Sequence, residues 1–185
     1  MRVISGAARR TVLSAPTGQN TRPTADRVKE NLFNIIAPDL PNSRFLDLFC
    51  GSGAIGIEAL SRGAAEAVFV DVSAEATRVA KNNLARVKFE NQAKVLCMCA
   101  RKAISQLERE GRGFDIIFLD PPYGDGILKR VIDELESSSL LVAEGIVIIE
   151  CSDKEAPVGA HNLKLYDTRE YGNTRLEFYT NKRKI

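Results

Sequence analysis

The chain has 185 residues, 44% hydrophobic and 27% charged, with a net charge of +2; this is the make-up of a globular domain with enough chain to bury a proper core. No apolar stretch approaches the roughly 20 residues of a spanning helix, and the amino terminus MRVISGAARR carries charge without an apolar signal core, so a cytoplasmic protein is expected. Two short strand-like pieces, RVIS and RTVLSA, come first and predict a β-hairpin. TRPTADRVKENLFNIIAP then reads as a helix, with Thr24 as cap, Val28, Leu32, Ile35 and Ile36 as the apolar stripe and Pro38 as the stop. From there strands and helices alternate: RFLDLF, a helix through AIGIEALSR ended by Gly63, AVFVD, a helix over AEATRVAKNNLARV, KVLCMC, a helix near RKAISQLERE, FDIIFLD, a helix over LKRVIDELESS, and GIVIIEC. That is repeated βα winding, which predicts an α/β fold with a mostly parallel sheet. LKLYDTRE and TRLEFYT around YGN read instead as a carboxyl-terminal antiparallel hairpin. We expect residues 1–40 to form a basic hairpin-and-helix extension and residues 41–185 the wound domain.

The charge is unevenly spread. Arg2, Arg9, Arg10, Arg22, Arg27 and Lys29 crowd the first thirty residues against Asp26 and Glu30, and Lys182, Arg183 and Lys184 close the tail. Basic clusters of this kind gain affinity for phosphates by counterion release, so the extension is expected to face a polyanion. The four cysteines, Cys50, Cys97, Cys99 and Cys151, have no C-x-x-C spacing and the only histidine is His161, so a zinc site lacks ligands and no metal is expected. Alternation places Cys97 and Cys99 on one strand face, where they read as reduced, small apolar residues.

Two segments carry chemistry. DLFCGSGAIG sits at the first strand-to-helix turn, where Gly51, Gly53 and Gly56 fit G-x-G-x-x-G and Asp71 follows at the end of the next strand. Glycines let the backbone approach a ligand, and the carboxylate suits ribose hydroxyls, which leaves NAD, FAD and S-adenosylmethionine open. Asp47 favours the last, because a carboxylate beside the turn suits a methionine ammonium and opposes a pyrophosphate. The second segment is FDIIFLDPPYGDG: a buried strand surfaces at Asp120, Pro121, Pro122 and Tyr123, at the end of a parallel strand where open sheets bind ligands.

Asp-Pro-Pro-Tyr resembles the motif of methyltransferases that act on amino groups. That likeness implies that Asp120 and the Pro121 carbonyl each accept an N–H of a conjugated amine, turning its lone pair toward the methyl donor. The prolines fix the carbonyl without adding a competing N–H, and Tyr123 offers a face on which an extruded base stacks.

RPTADRVKENLFNII, FLDLFCGSGAIGIEALSRGA, VFVD, FDIIFLDPPY and YGNTRLEFY together resemble the RsmD family of 16S rRNA (guanine-966-N2)-methyltransferases along nearly the whole chain. The resemblance implies a Rossmann-like class I methyltransferase fold, S-adenosyl-L-methionine as cofactor, and 16S rRNA in the small ribosomal subunit or its assembly intermediate as partner, with no membrane. It implies cofactor contacts from Asp47, Phe49, Gly51, Gly53, Asp71, Cys99, Ala100 and Asp120, and RNA contacts from Arg9, Arg10, Arg22, Arg27 and Tyr123. Cys99 stands where related enzymes carry Asp or Asn before Ala, so looser adenine recognition is expected; Arg10 stands where glycine is frequent. An adenine-N6 or other amine methyltransferase, a silent RNA-binding module and an NAD oxidoreductase are the competing readings.

Overall fold

The computed structural model describes residues 1–16, 23–122, 126–154 and 159–181, the side chains of 23–25 excepted, so the capping expected of Thr24 lies outside the described residues. The elements follow as α1 (Pro23–Ile35), β1 (Arg44–Asp47), α2 (Ala54–Ser61), β2 (Glu66–Asp71), α3 (Ala74–Val87), β3 (Ala93–Cys97), α4 (Ala100–Arg109), β4 (Phe114–Leu119), α5 (Ile127–Ser137), β5 (Leu141–Ser152), β6 (Lys164–Tyr171) and β7 (Thr174–Thr180). All seven strands share one sheet in the order β3-β2-β1-β4-β5-β7-β6. β1 to β5 are parallel, and β7 pairs antiparallel with both β5 and β6. This is the expected Rossmann-like sheet with its antiparallel end. Among the described residues no helix is long and apolar enough to cross a membrane.

Period-two alternation divides the core. Phe45, Phe69, Ile116, Phe118 and Ile148 join one cluster with α1, α2 and α3, while Leu46, Val68, Ile117, Leu119 and Ile149 join the other with α4 and α5. Strands covered on both faces have no polar side to show, which is why they read as unbroken apolar runs. α3 shows the helical counterpart: Ser73 caps it by accepting from the Ala76 amide at 3.2 Å, Ala76, Ala80, Leu84 and Val87 face the sheet, and Lys88 ends it in the left-handed region.

Residues 1–14 run over α2, which is buried along nearly its whole length, and on to α3, where Arg86 and Asn83 bond to Val12 and Ser14. Arg2 and Val12 form one isolated antiparallel bridge, so the expected amino-terminal hairpin is a folded-back loop with a minimal ladder. Buried polar groups hold it down. Glu58, fully buried, accepts from the Ile4 and Ser5 amides at 2.8 and 3.0 Å and from Arg62 Nε at 2.8 Å. Ser61 Oγ donates to Ser5 O and accepts from the Ala8 amide. Asn83 on α3 accepts from the Ser14 amide and donates to the Ser14 and Ser52 carbonyls, each at 2.9 Å.

Two further expectations are corrected. Lys29 is not part of a basic surface: it is 5% exposed, donates to the Arg2 carbonyl at 2.6 Å and lies 3.5 Å from Glu58. Burial lowers its pKa, and the Glu58 charge opposes that shift. Cys97 and Cys99 do not share a strand face as apolar residues, because β3 ends at Cys97 and Cys99 is the N-cap position before α4; both residues are exposed, whereas Cys50 and Cys151 are buried.

Candidate active site

Four apolar strand runs lead into an acidic residue. Asp47 closes β1, Asp71 closes β2, Asp120 follows β4, and Glu150 stands near the end of β5. Each lies two positions after a residue of the first core cluster, Phe45, Phe69, Phe118 and Ile148 respectively; by alternation all four share one sheet face. A cavity of about 830 Å³ opens there, lined by all four carboxylates, by Phe49, Cys50, Gly51 and Ser52 of the glycine turn, and by residues of α1 and α5. Between β1 and β4 the strand order reverses, the switch point where such sheets bind ligands.

The glycine turn is stitched to the strand ends. The Cys50 amide donates to Val70 O at 2.8 Å, the Gly53 amide to Cys50 O at 2.7 Å, and the Gly51 amide to Asp71 Oδ2 at 2.9 Å. Gly51 and Gly53 hold positive φ of 51° and 78°, which side chains disfavour. Gly51 lines the cavity. Gly53 is set back from it and starts α2, where an added Cβ would meet Ala80 Cβ at 3.2 Å. At Gly56 a Cβ would fall 2.3 Å from the Phe69 ring, so this glycine lets α2 lie against β2.

Asp47 is 1% exposed, and neither carboxylate oxygen has a hydrogen-bond partner of ordinary geometry. Burial raises its pKa to about 8; the nearby Phe49 and Gly56 amides offset part of that, too poorly placed to bond, and the Asp120 charge adds to it. Asp71 accepts from Gly51 and from the Ser73 amide at 2.8 Å, which leaves about half of its four lone-pair sites for a ligand. The Cys50 thiol is pushed up by burial. Asp120 presents its surface to the cavity, but protein surrounds the cavity, so burial still holds its carboxyl above the ordinary range. Glu150 is raised first by burial and then by the Asp120 charge.

Pro121, Pro122, Cys99 and Ala100 line the same cavity. Cys99 precedes α4 without a side-chain cap. Arg9, Arg10 and Arg27 are exposed but do not line the cavity, and Arg22 and Tyr123 lie outside the described residues. Arg10 has φ of 72°, a conformation that glycine adopts without strain. Glu150 escaped the sequence reading, although GIVIIE repeats the pattern of RFLD, AVFVD and IIFLD.

A family model described as conserved hypothetical protein 95 matches residues 1–180. The chain is 35% identical over 180 residues to Ribosomal RNA small subunit methyltransferase D of Escherichia coli (strain K12), covering 97% of this chain and 89% of that one. The chain belongs to the RsmD family. It is also 31% identical over 182 residues to the protein of the same name from Haemophilus influenzae, covering 98% and 94%. Among solved structures, that of the Thermus thermophilus hypothetical protein TTHA0928 superimposes on this RsmD-family chain with a TM-score of 0.84 at 31% identity, over 97% and 99% of the two chains.

Proposed function

We propose that this chain transfers a methyl group from S-adenosyl-L-methionine to the exocyclic N2 amine of a guanine in 16S rRNA of the small ribosomal subunit. The observation that carries the reading is one cavity holding both an unpartnered buried carboxylate, Asp47, and the Asp120-Pro121-Pro122 stretch at the end of β4. The residues fit the cofactor. Asp47 lacks the cationic donor that a methionine ammonium would supply, Asp71 has lone pairs left for ribose hydroxyls, and the Ala100 amide at the uncapped start of α4 suits an adenine ring nitrogen. Bound there, the cofactor would supply an electrophilic methyl group on a sulfonium.

Asp120 and the Pro121 carbonyl would accept the two N2–H groups and draw the lone pair out of conjugation with the ring. Transfer would form the N–CH3 bond as the cofactor's C–S bond breaks, so that the cofactor would leave as a neutral thioether. The surplus proton on N2 passes to Asp120, whose raised pKa suits it to accept. The exposed Arg9, Arg10 and Arg27, together with Arg22, would meet phosphates, and Tyr123 would stack on the extruded base; the segment 1–40 then acts as the RNA-facing part of the molecule. The test is transfer of labelled methyl to small subunits lacking the modification, followed by digestion and nucleoside identification. N2-methylguanine is expected. N6-methyladenine, or no transfer, would overturn the reading.

A further inference from the structure

We propose that Glu150 selects the base, accepting the N1–H of guanine while its neighbour Asp120 accepts from N2. This rests on the reading above and assigns a role to a residue outside the Asp-Pro-Pro-Tyr stretch.

The placement follows from strand register. Leu119 of β4 pairs with Ile149 of β5, so Asp120 and Glu150 are the next residues on adjacent parallel strands, about 4.8 Å apart. Both follow the same alternation, two positions beyond Phe118 and Ile148 of the first core cluster, and both line the cavity. Their side chains therefore leave the sheet side by side.

Among the described residues, neither carboxylate has a hydrogen-bond donor or an ion-pair partner. The basic side chains on the cavity wall bond elsewhere: Lys29 to the Arg2 carbonyl and Glu58, Arg101 Nε to Glu134, and Arg130 Nε to the Gly126 carbonyl. Two adjacent acceptors without donors call for a ligand edge that presents two adjacent donors. Of the bases that carry an exocyclic amine, guanine alone has that edge, N1–H beside N2–H. Adenine places the N1 lone pair beside its amine and cytosine places the N3 lone pair there, so either would set a lone pair against the ionised Glu150 carboxylate. An edge of two N–H groups also favours the ionised forms of both acids, opposing the burial that raises both and the Asp120 charge that raises Glu150 further.

The experiment compares small subunits reconstituted with guanine or with 2-aminopurine at the methylated position, since 2-aminopurine keeps the amine but has a lone pair at N1. The readout is kcat/KM for methyl transfer to each. Wild-type protein should prefer guanine by at least about tenfold, because a site built to accept an N–H leaves its acceptor facing a lone pair in the analogue. In Glu150→Gln the amide can donate to that lone pair, so the preference should shrink toward parity, with S-adenosylhomocysteine affinity retained as the check on folding. Glu150→Ala, which removes the acceptor, should shrink it as well. A uniform loss on both substrates in a folded variant would mark Glu150 as merely structural and overturn the proposal. A wild-type preference near one overturns it without any variant. Wild-type protein that leaves guanine itself unmethylated sinks the assignment of the reaction, and this proposal with it.

Discussion

In the ligand-free protein, ionising Asp47 places an unpartnered charge at the foot of β1. Its folded pKa of about 8 lies above the ordinary 3.8 of the unfolded chain, so the native state binds more protons between those values and stability falls as pH rises through that window. Asp47→Asn lacks this dependence. Denaturant melts should show the variant more stable than wild type at pH 8, by about 1–3 kcal/mol, with the gap closing near pH 4; calorimetry should show weaker S-adenosylhomocysteine binding. A wild-type profile flat across the window would remove Asp47 as a stored cost. Asp120 behaves differently if it acts on the transition state. Asp120→Ala should lower kcat by orders of magnitude while cofactor affinity changes little, and near-normal turnover would take it out of the chemistry.

At the scale of elements, the contact between α2 and β2 is set by a glycine. An alanine at Gly56 would place its Cβ 2.3 Å from the Phe69 ring, and overpacking of this kind costs about 1–3 kcal/mol. Phe69→Leu should cost stability alone, yet the double variant should lose less than the sum of the two, and strict additivity in chemical denaturation would refute the contact. Asn83 ties the end of the amino-terminal segment to the glycine turn through Ser14 and Ser52. Asn83→Ala should lower stability by about 1–3 kcal/mol and speed hydrogen exchange at the Ser14 amide. These elements differ in how far the sequence discloses them. The βα winding was legible because each doubly covered strand is an apolar run with a punctuated end. The burial of Lys29 and the true position of Cys99 were not: one depends on the distant Glu58, the other on where a strand stops. Glu150 was legible in principle, since its apolar run meets an acidic residue as the other three do, but its meaning depends on which strand lies beside β4.

For the whole molecule, affinity for RNA and choice of base should separate. Neutralising Arg9, Arg10 and Arg22 together should flatten the salt dependence of small-subunit binding by about two to three units of slope, while the methylated product keeps its identity; an unchanged slope would show that the basic segment does not meet phosphate. The far end of the sheet answers a different demand. β6 is an outermost strand, its pairing with β7 slips between Leu165 and Asp167, and it carries Lys164, Asp167, Arg169 and Glu170. An open strand edge is a template on which another chain can polymerise, and charge and irregularity are what spoil the template. The hairpin that completes the sheet therefore also terminates it, leaving an edge poorly suited to pairing with the same strand of a second copy.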